Sequence, residues 1–112
     1  MTDNEIAVLI SLNNWGPGPG NSAAAIKFLD TAIAICRAES GGNPNAVSNT
    51  GDYGLWQINK AAHPQYFPPK AQGGYIWDPL SNTYVAKTIY AAAGGWSPWS
   101  TYKNGSYKAH LG

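Results

Sequence analysis

The chain carries little charge and almost no cysteine. Only 12% of its 112 residues are charged, against roughly 25% in an average soluble protein. The net charge of +1 provides no bulk attraction to a polyanion, so we expect no nucleic-acid partner. Cys36 is the single cysteine, which excludes an intramolecular disulfide and favours a buried thiol within an apolar helix. Packing alone must therefore hold the fold together.

Long apolar runs and clusters of metal ligands are also missing from the sequence. No stretch of about 18 apolar residues is present, so we expect no membrane insertion. The first five residues, MTDNE, lack the cationic start of a secretory signal. His63 and His110 have no second His, Cys or close acidic pair at ligand spacing. We therefore predict two surface histidines, no metal site and no cofactor.

What the chain does contain is a set of helix caps and stops, within a length that suits one domain over residues 1–112. These signals predict a short helix at 5–12, a Gly/Pro loop at 14–20, a helix from Ala23 to about Glu39, and a helix that Asp78 caps and Gly94 ends. The second helix is apolar around most of its circumference, which is typical of a helix at the centre of a domain. Residues 45–59 are rich in turn formers and predict a small hairpin around 49–52. The predicted fold class is mainly α, of the α+β type, with a central buried helix and a minor β-hairpin or turn-rich element.

Glu39 is the first candidate for chemistry, because it lies at the end of this apolar helix. Its spacing puts it on the same helix face as Cys36, Ile35 and Ala32. Desolvation and the negative end of the helix dipole both raise the pKa of a carboxyl group in that position. A carboxylic acid kept protonated near neutral pH can donate a proton to a leaving oxygen. The alternative is a solvated last-turn glutamate, but the glycine-rich turn and then Asp52 that follow it favour an active site.

Two segments carry a resemblance to known enzymes. Residues 39–48, ESGGNPNAVS, followed by GLWQI at 54–58, resemble the signature of soluble lytic transglycosylases and goose-type lysozymes. Residues 52–59, DYGLWQIN, are similar to the segment of chicken-type lysozymes that contains their second catalytic carboxylate. The resemblance implies a lysozyme-like fold with Glu39 as catalytic acid and Asp52 as second carboxylate. It also implies a peptidoglycan glycan strand as partner, cleaved between N-acetylmuramic acid and N-acetylglucosamine.

The expected function is a muramidase, and two alternatives stay open. A carboxyl separation of about 5 to 5.5 Å would let Asp52 act as nucleophile or cation stabiliser, and about 6.5 to 9.5 Å would suit a base. If Asp52 serves only its turn, Glu39 works alone in a lytic transglycosylase that gives 1,6-anhydromuramic acid. In lytic transglycosylases the tyrosine that Tyr90 matches is usually followed by Asn. In this chain it is followed by Ala91, which favours hydrolysis. The second alternative is a non-catalytic cell-wall binding module.

Sugar binding calls for flat apolar faces and fixed amide groups. The candidate faces are Tyr53, Trp56, Trp96, Trp99 and Tyr102. Gly95 and Pro98 predict an exposed loop for Trp96 and Trp99, while about half of the tryptophans are expected in the core.

Four further residues complete the predicted substrate site. Gln57 and Asn59 are expected to hold an acetamido group, or else to satisfy the backbone of their own turn. Ser48 matches the family motif and is predicted either to orient Glu39 or the turn, or to be an ordinary turn serine. Tyr90 is included through the resemblance alone.

The resemblance also implies a cellular context. A peptidoglycan substrate places the action on the cell wall, outside the cytoplasm. Because no signal peptide is visible, we expect that the signal has been removed, that the domain belongs to a longer protein, or that another route exports it. We expect a monomer, or a module of a larger phage lysin, virion protein or wall-remodelling enzyme.

Overall fold

The computed structural model describes residues 1–19, 21–67 and 76–112, and these residues are mainly helical. They form the helices α1 (Asp3–Leu12), α2 (Ala23–Ser40), α3 (Pro79–Ala93) and α4 (Ser100–Lys103). Two short strands, β1 (Asp52–Tyr53) and β2 (Ile58–Asn59), pair antiparallel, and 3-10 turns lie at Pro64–Tyr66 and Ser106–His110. The predicted α+β class is confirmed. Gly20, the last residue of the predicted loop at 14–20, lies outside the described residues.

The ends of the two long helices follow from local chemistry. The side chain of Ser22 accepts a hydrogen bond from the first turn of α2, and Gly41 ends that helix in the left-handed conformation, with φ of 65°. Asp78 caps α3 in the same way, Pro79 occupies its first position, and Gly94 ends it with φ of 73°. Both helices therefore begin and end where the sequence predicts.

Helix α2 is the centre of the domain, as predicted. It packs against α1, α4 and the C-terminal 3-10 turn, while α1 also packs against α3. Its face with Ala32, Ile35 and Cys36 is fully buried in one continuous apolar cluster. Burial raises the pKa of the Cys36 thiol to about 12, so this cysteine is an inert part of the core, as expected. None of the helices in the described part of the chain is long and apolar enough to cross a membrane.

Most of the tryptophans belong to this core. Four of the five are buried, and only Trp77 is as much as 36% exposed. Trp15, Trp56, Trp96 and Trp99 contact one another through tilted, stacked or edge-on rings whose centroids lie 5.0 to 6.4 Å apart. A short chain has little apolar area with which to build a core, so burying the large apolar area of an indole stabilises the fold more than exposing it would.

The prediction of an exposed aromatic loop at Trp96 and Trp99 was therefore wrong. The chain does leave helical geometry after Gly94, but both indoles turn inward and are only 8% and 4% exposed. The indole N–H of Trp99 donates to the carbonyl oxygen of Trp56 at 3.0 Å, so its one polar atom is satisfied inside the core. Gly95 and Pro98 locate the loop correctly, but they do not decide which way its side chains point.

Candidate active site

Two elements carry the predicted carboxylates. Glu39 lies in the last turn of α2, and Asp52 opens strand β1 after the turn that follows the helix. The negative charge of Asp52 is close enough to contribute to the raised pKa of Glu39. The charge of Asp52 therefore acts on Glu39, in the direction that favours the protonated acid.

Glu39 is half-buried and is held from the far end of the chain. The hydroxyl of Thr101 donates to its Oε2 at 2.7 Å, and the backbone N–H of Thr101 approaches the same oxygen at 3.4 Å. Burial raises the pKa of Glu39, the two Thr101 donors oppose this, and the charge of Asp52 adds to the increase. The net shift is upward, which favours the protonated acid that proton donation requires.

Asp52 has the opposite environment. Ser48 and Thr50 donate their hydroxyls to its Oδ2, each at 2.6 Å, and the amide of Asn59 donates to its Oδ1 at 3.0 Å. Partial burial would raise the pKa of Asp52, but these three donors outweigh burial and hold it below its ordinary value. Asp52 is therefore a carboxylate that stays ionised.

Ser48 forms its side-chain hydrogen bonds within the turn, to Thr50 and Asp52, and none of them goes to Glu39. Besides donating to Asp52, its Oγ accepts the Asp52 backbone N–H at 3.0 Å. Val47 and Tyr53 form a single antiparallel bridge around this turn. The predicted small hairpin around 49–52 is thus present, and strands β1 and β2 extend it.

The GLWQ segment is the tight connection between β1 and β2. Gly54 has φ of 80°, and a side chain there would meet the Asn82 amide and would lie 2.7 Å from the Ile76 carbonyl oxygen. Gln57 also has a positive φ, of 53°, and its amide donates to the carbonyls of Ala46 and Gly54 at 3.1 and 3.0 Å. The Gln57 amide nitrogen is therefore engaged by backbone.

Asn59 is likewise engaged within its own turn. Its amide nitrogen also donates to the Thr50 carbonyl at 3.2 Å, and its oxygen accepts the Ala62 backbone N–H at 2.9 Å. This is the backbone-satisfying alternative that the sequence left open.

Asn82 is a residue that the sequence analysis missed. It is 1% exposed on α3, its oxygen accepts the Trp56 backbone N–H at 2.8 Å, and its nitrogen donates to the carbonyls of Tyr53 and Ile76 at 3.2 and 2.8 Å. It therefore fastens the hairpin that carries Asp52 to α3. A signal was present, since Asn82 and Thr83 interrupt the buried face of α3, and a buried polar side chain needs partners.

A crevice opens beside Asp52. Its volume is about 50 Å³, and its lining consists of Asp52, Gln57, Ile58, Asn59, His63, Ile89, Pro98 and Trp99. Three of these residues, His63, Ile89 and Pro98, also line a groove of about 310 Å³ between α3 and the 3-10 turn at Pro64–Tyr66. The crevice alone is too small for a sugar ring, but the groove reaches the size of a ligand site.

The lining of the groove combines apolar and polar side chains. Ile89, Ala92, Ala93 and Pro98 supply the apolar part, and His63, Gln65, Tyr66 and Thr88 supply polar groups. His63 was predicted to be a surface residue, but it is half-buried and belongs to both concavities. Other concavities lie beside α1 and the start of α2, and Asp52 lines neither of them. Among the described residues, Glu39 lines none of these four concavities.

The aromatic residues predicted to bind sugar lie mostly elsewhere. Trp56 and Trp96 are buried in the core, and Trp99, also buried, is the one of the three that lines the crevice. Tyr90 is half-buried among the core rings, and its ring centroid lies 4.7 Å from that of Trp96. The sugar-binding faces expected at these positions are therefore covered by other rings.

The two remaining tyrosines are nearer the surface. Tyr53 is half-buried in edge-on contact with Phe67 and Trp77, so it supports the hairpin. Tyr102 is 38% exposed and stacks on Tyr107, with ring centroids 5.2 Å apart. A role of either in sugar binding stays a prediction.

No group of three or more His, Cys, Asp or Glu residues that could hold a metal ion occurs within residues 1–19, 21–67 and 76–112.

Comparison with known families gives one result. A family model described as a lysozyme-like domain matches residues 20–101, which is well over half of the chain and includes both carboxylates, Asn82 and Thr101. No curated protein and no solved structure gives a significant match.

Proposed function

The chain belongs to the lysozyme-like domain family, and from this premise we propose that it is a peptidoglycan muramidase. The family membership predicted from the two sequence motifs is confirmed, and this family is one of peptidoglycan-related glycosidases and transglycosylases. We propose hydrolysis of the β-1,4 bond between N-acetylmuramic acid and N-acetylglucosamine, with Glu39 as general acid.

The observation that supports this proposal most is the opposite behaviour of the two carboxyl groups. The pKa of Glu39 is raised, chiefly by burial, whereas hydrogen-bond donors hold the pKa of Asp52 below its ordinary value. A pair of neighbouring carboxyl groups with pKa values moved apart supplies one proton donor and one anion at the same pH. Cleavage of a glycosidic bond uses such a pair.

In the proposed reaction, Glu39 gives its proton to the glycosidic oxygen while the bond from that oxygen to the anomeric carbon breaks. The sugar that remains carries positive charge at its anomeric centre, and ionised Asp52 stabilises that charge. A water molecule then adds to the anomeric carbon and returns a proton to Glu39. The products are a new reducing end and a free hydroxyl, so atoms and charge balance.

We propose that the glycan strand occupies the crevice at Asp52 and continues into the groove past His63. Sugar rings have apolar C–H faces and polar edges, and the groove lining offers both apolar and polar side chains to them. In this proposal the groove takes the place of the tryptophan platforms predicted from the sequence.

Lytic transglycosylation is the second candidate, and one observation favours it. Both oxygens of Asp52 already accept hydrogen bonds from its own turn, which makes this carboxylate a weaker nucleophile. If Asp52 does no more than fix the hairpin, Glu39 acts first as acid and then as base, and the substrate's own hydroxyl closes a 1,6-anhydro ring.

The products of peptidoglycan digestion test both candidates. Soluble muropeptides released by the wild type, Glu39→Gln and Asp52→Asn would be identified by mass spectrometry. Glu5→Gln, which changes an exposed carboxylate and keeps the α1 capping box possible, is the matched control. We expect reducing muropeptides from the wild type and the control, and none from Glu39→Gln.

Other outcomes would redirect the assignment. Products lighter by one water would identify a lytic transglycosylase. Equal release by wild type and Glu39→Gln would remove Glu39 as the acid. No release by any protein, together with co-sedimentation with the wall material, would support the binding module.

The context follows from the substrate. A lysozyme-like domain acts on the cell wall, so its action is extracytoplasmic. Within that setting we propose a monomer or a module of a larger phage or wall-remodelling protein.

A further inference from the structure

Thr101 makes the side-chain hydrogen bond to Glu39. Its hydroxyl and its backbone N–H both point to the same carboxyl oxygen, Oε2, at 2.7 and 3.4 Å. Within the described part of the chain, no donor lies within hydrogen-bond distance of Oε1. The two oxygens of the acid are therefore unequal before any substrate arrives.

The buried indole of Trp99 fixes the position of Thr101. Trp99 is 4% exposed and donates its indole N–H to the Trp56 carbonyl at 3.0 Å. The Trp99 carbonyl then accepts the backbone N–H groups of Tyr102 and Lys103 at 3.1 and 3.2 Å, which starts helix α4. Thr101 lies inside this first turn, so the core sets the place of its hydroxyl.

We propose that Thr101 is the positioning residue of the reaction, which keeps the acidic proton of Glu39 on Oε1 and orients the carboxyl group for transfer. This inference rests on the proposed role of Glu39 as general acid. An oxygen that already accepts two hydrogen bonds is the poorer place for a proton, so the proton resides on the other oxygen. One defined donor atom in a fixed orientation is what efficient proton transfer requires.

The same contact sets the pH range of the reaction. A donor to a carboxylate stabilises the ionised form, so Thr101 lowers the pKa of Glu39 and opposes the increase caused by burial. A general acid must be protonated, so activity falls as the pH rises through the pKa of Glu39. Loss of the Thr101 hydroxyl moves this alkaline limb to higher pH.

The experiment compares the pH profiles of two Thr101 variants on purified peptidoglycan. Thr101→Val keeps the shape but removes the hydroxyl, and Thr101→Ser keeps the hydroxyl. For Thr101→Val we expect an alkaline limb displaced upward by about half to one pH unit and a fall in kcat of about tenfold. For Thr101→Ser we expect the wild-type limb and most of the wild-type kcat.

The readouts separate this inference from the proposed function. A Thr101→Val profile with a lower rate but an unmoved limb, or equal profiles for Val and Ser, would overturn the positioning role while Glu39 remains the acid. Full activity of Glu39→Gln would overturn the proposed function instead. Far-ultraviolet circular dichroism and thermal melts check that each variant is folded under the conditions of the activity assay.

Discussion

Asn82 links strand β1 to helix α3, and its removal gives the sharpest test of how the site is held. In Asn82→Ala, the Trp56 N–H and the carbonyls of Tyr53 and Ile76 all lose their partner inside the protein. An unsatisfied buried polar group costs about 1 to 3 kcal/mol. Because water can enter part of the space, we expect a total loss of about 3 to 5 kcal/mol rather than the full sum.

This loss is large for a small domain, whose free energy of unfolding is typically about 5 to 15 kcal/mol. Urea unfolding followed by tryptophan fluorescence measures it as a lower midpoint at unchanged slope. Asn4→Ala is the matched control, because Asn4 is exposed on α1, and we expect a change within about 0.5 kcal/mol.

Two results would contradict the argument. A loss below about 1 kcal/mol in Asn82→Ala would show that the three hydrogen bonds are not what fastens the hairpin. An equal loss in Asn4→Ala would show that the effect does not depend on burial. Because the hairpin carries Asp52, we also expect Asn82→Ala to lose the proposed peptidoglycan-cleaving activity in urea before its far-ultraviolet signal changes.

The remaining predictions concern the two carboxyl groups and one glycine. In Asp52→Asn, loss of the neighbouring charge lowers the pKa of Glu39, so the alkaline limb of the activity profile should move to lower pH. Glu39→Gln should unfold at a higher urea concentration than the wild type at neutral pH, because a carboxyl group whose pKa is higher in the folded than in the unfolded state destabilises the fold when it ionises. The difference between the two urea midpoints should disappear as the pH falls through the folded-state pKa to the unfolded-state pKa of Glu39. Gly54→Ala should cost more than the about 1 to 2 kcal/mol of Gly94→Ala, since both have positive φ but only Gly54 lacks space for a side chain. Equal midpoints for the two glycine variants would contradict the packing argument.

The helices could be predicted because their signals are local. Ser22 and Asp78 cap the turn that immediately follows them, and Gly41 and Gly94 take a conformation that few other residues adopt. The apolar circumference of α2 also predicted its central place. Each of these inferences needs only residues within one or two helical turns of one another.

The direction of the aromatic side chains could not be predicted in this way. Trp96 and Trp99 follow a glycine and flank a proline, which is the pattern of a loop, and a loop they do form. Whether an indole in a loop faces water or core depends on the remaining apolar volume. Here Trp15 and Phe28, which come more than 60 residues earlier in the chain, provide the surface that Trp96 covers.

Within the site, too, contacts between nearby residues could be predicted from the sequence and contacts between distant residues could not. The donors to Asp52 lie four, two and seven residues from it, so a turn rich in Ser, Thr and Asn already indicated a stabilised anion. The donor to Glu39 lies 62 residues away on α4, and no local pattern around Glu39 reveals it. The motif therefore predicts Glu39 as the acid, while its hydrogen-bond donor, Thr101, is found only in the folded chain. A graft of residues 39–59 onto another helix would consequently carry the anion with its donors, but not the orientation of the acid.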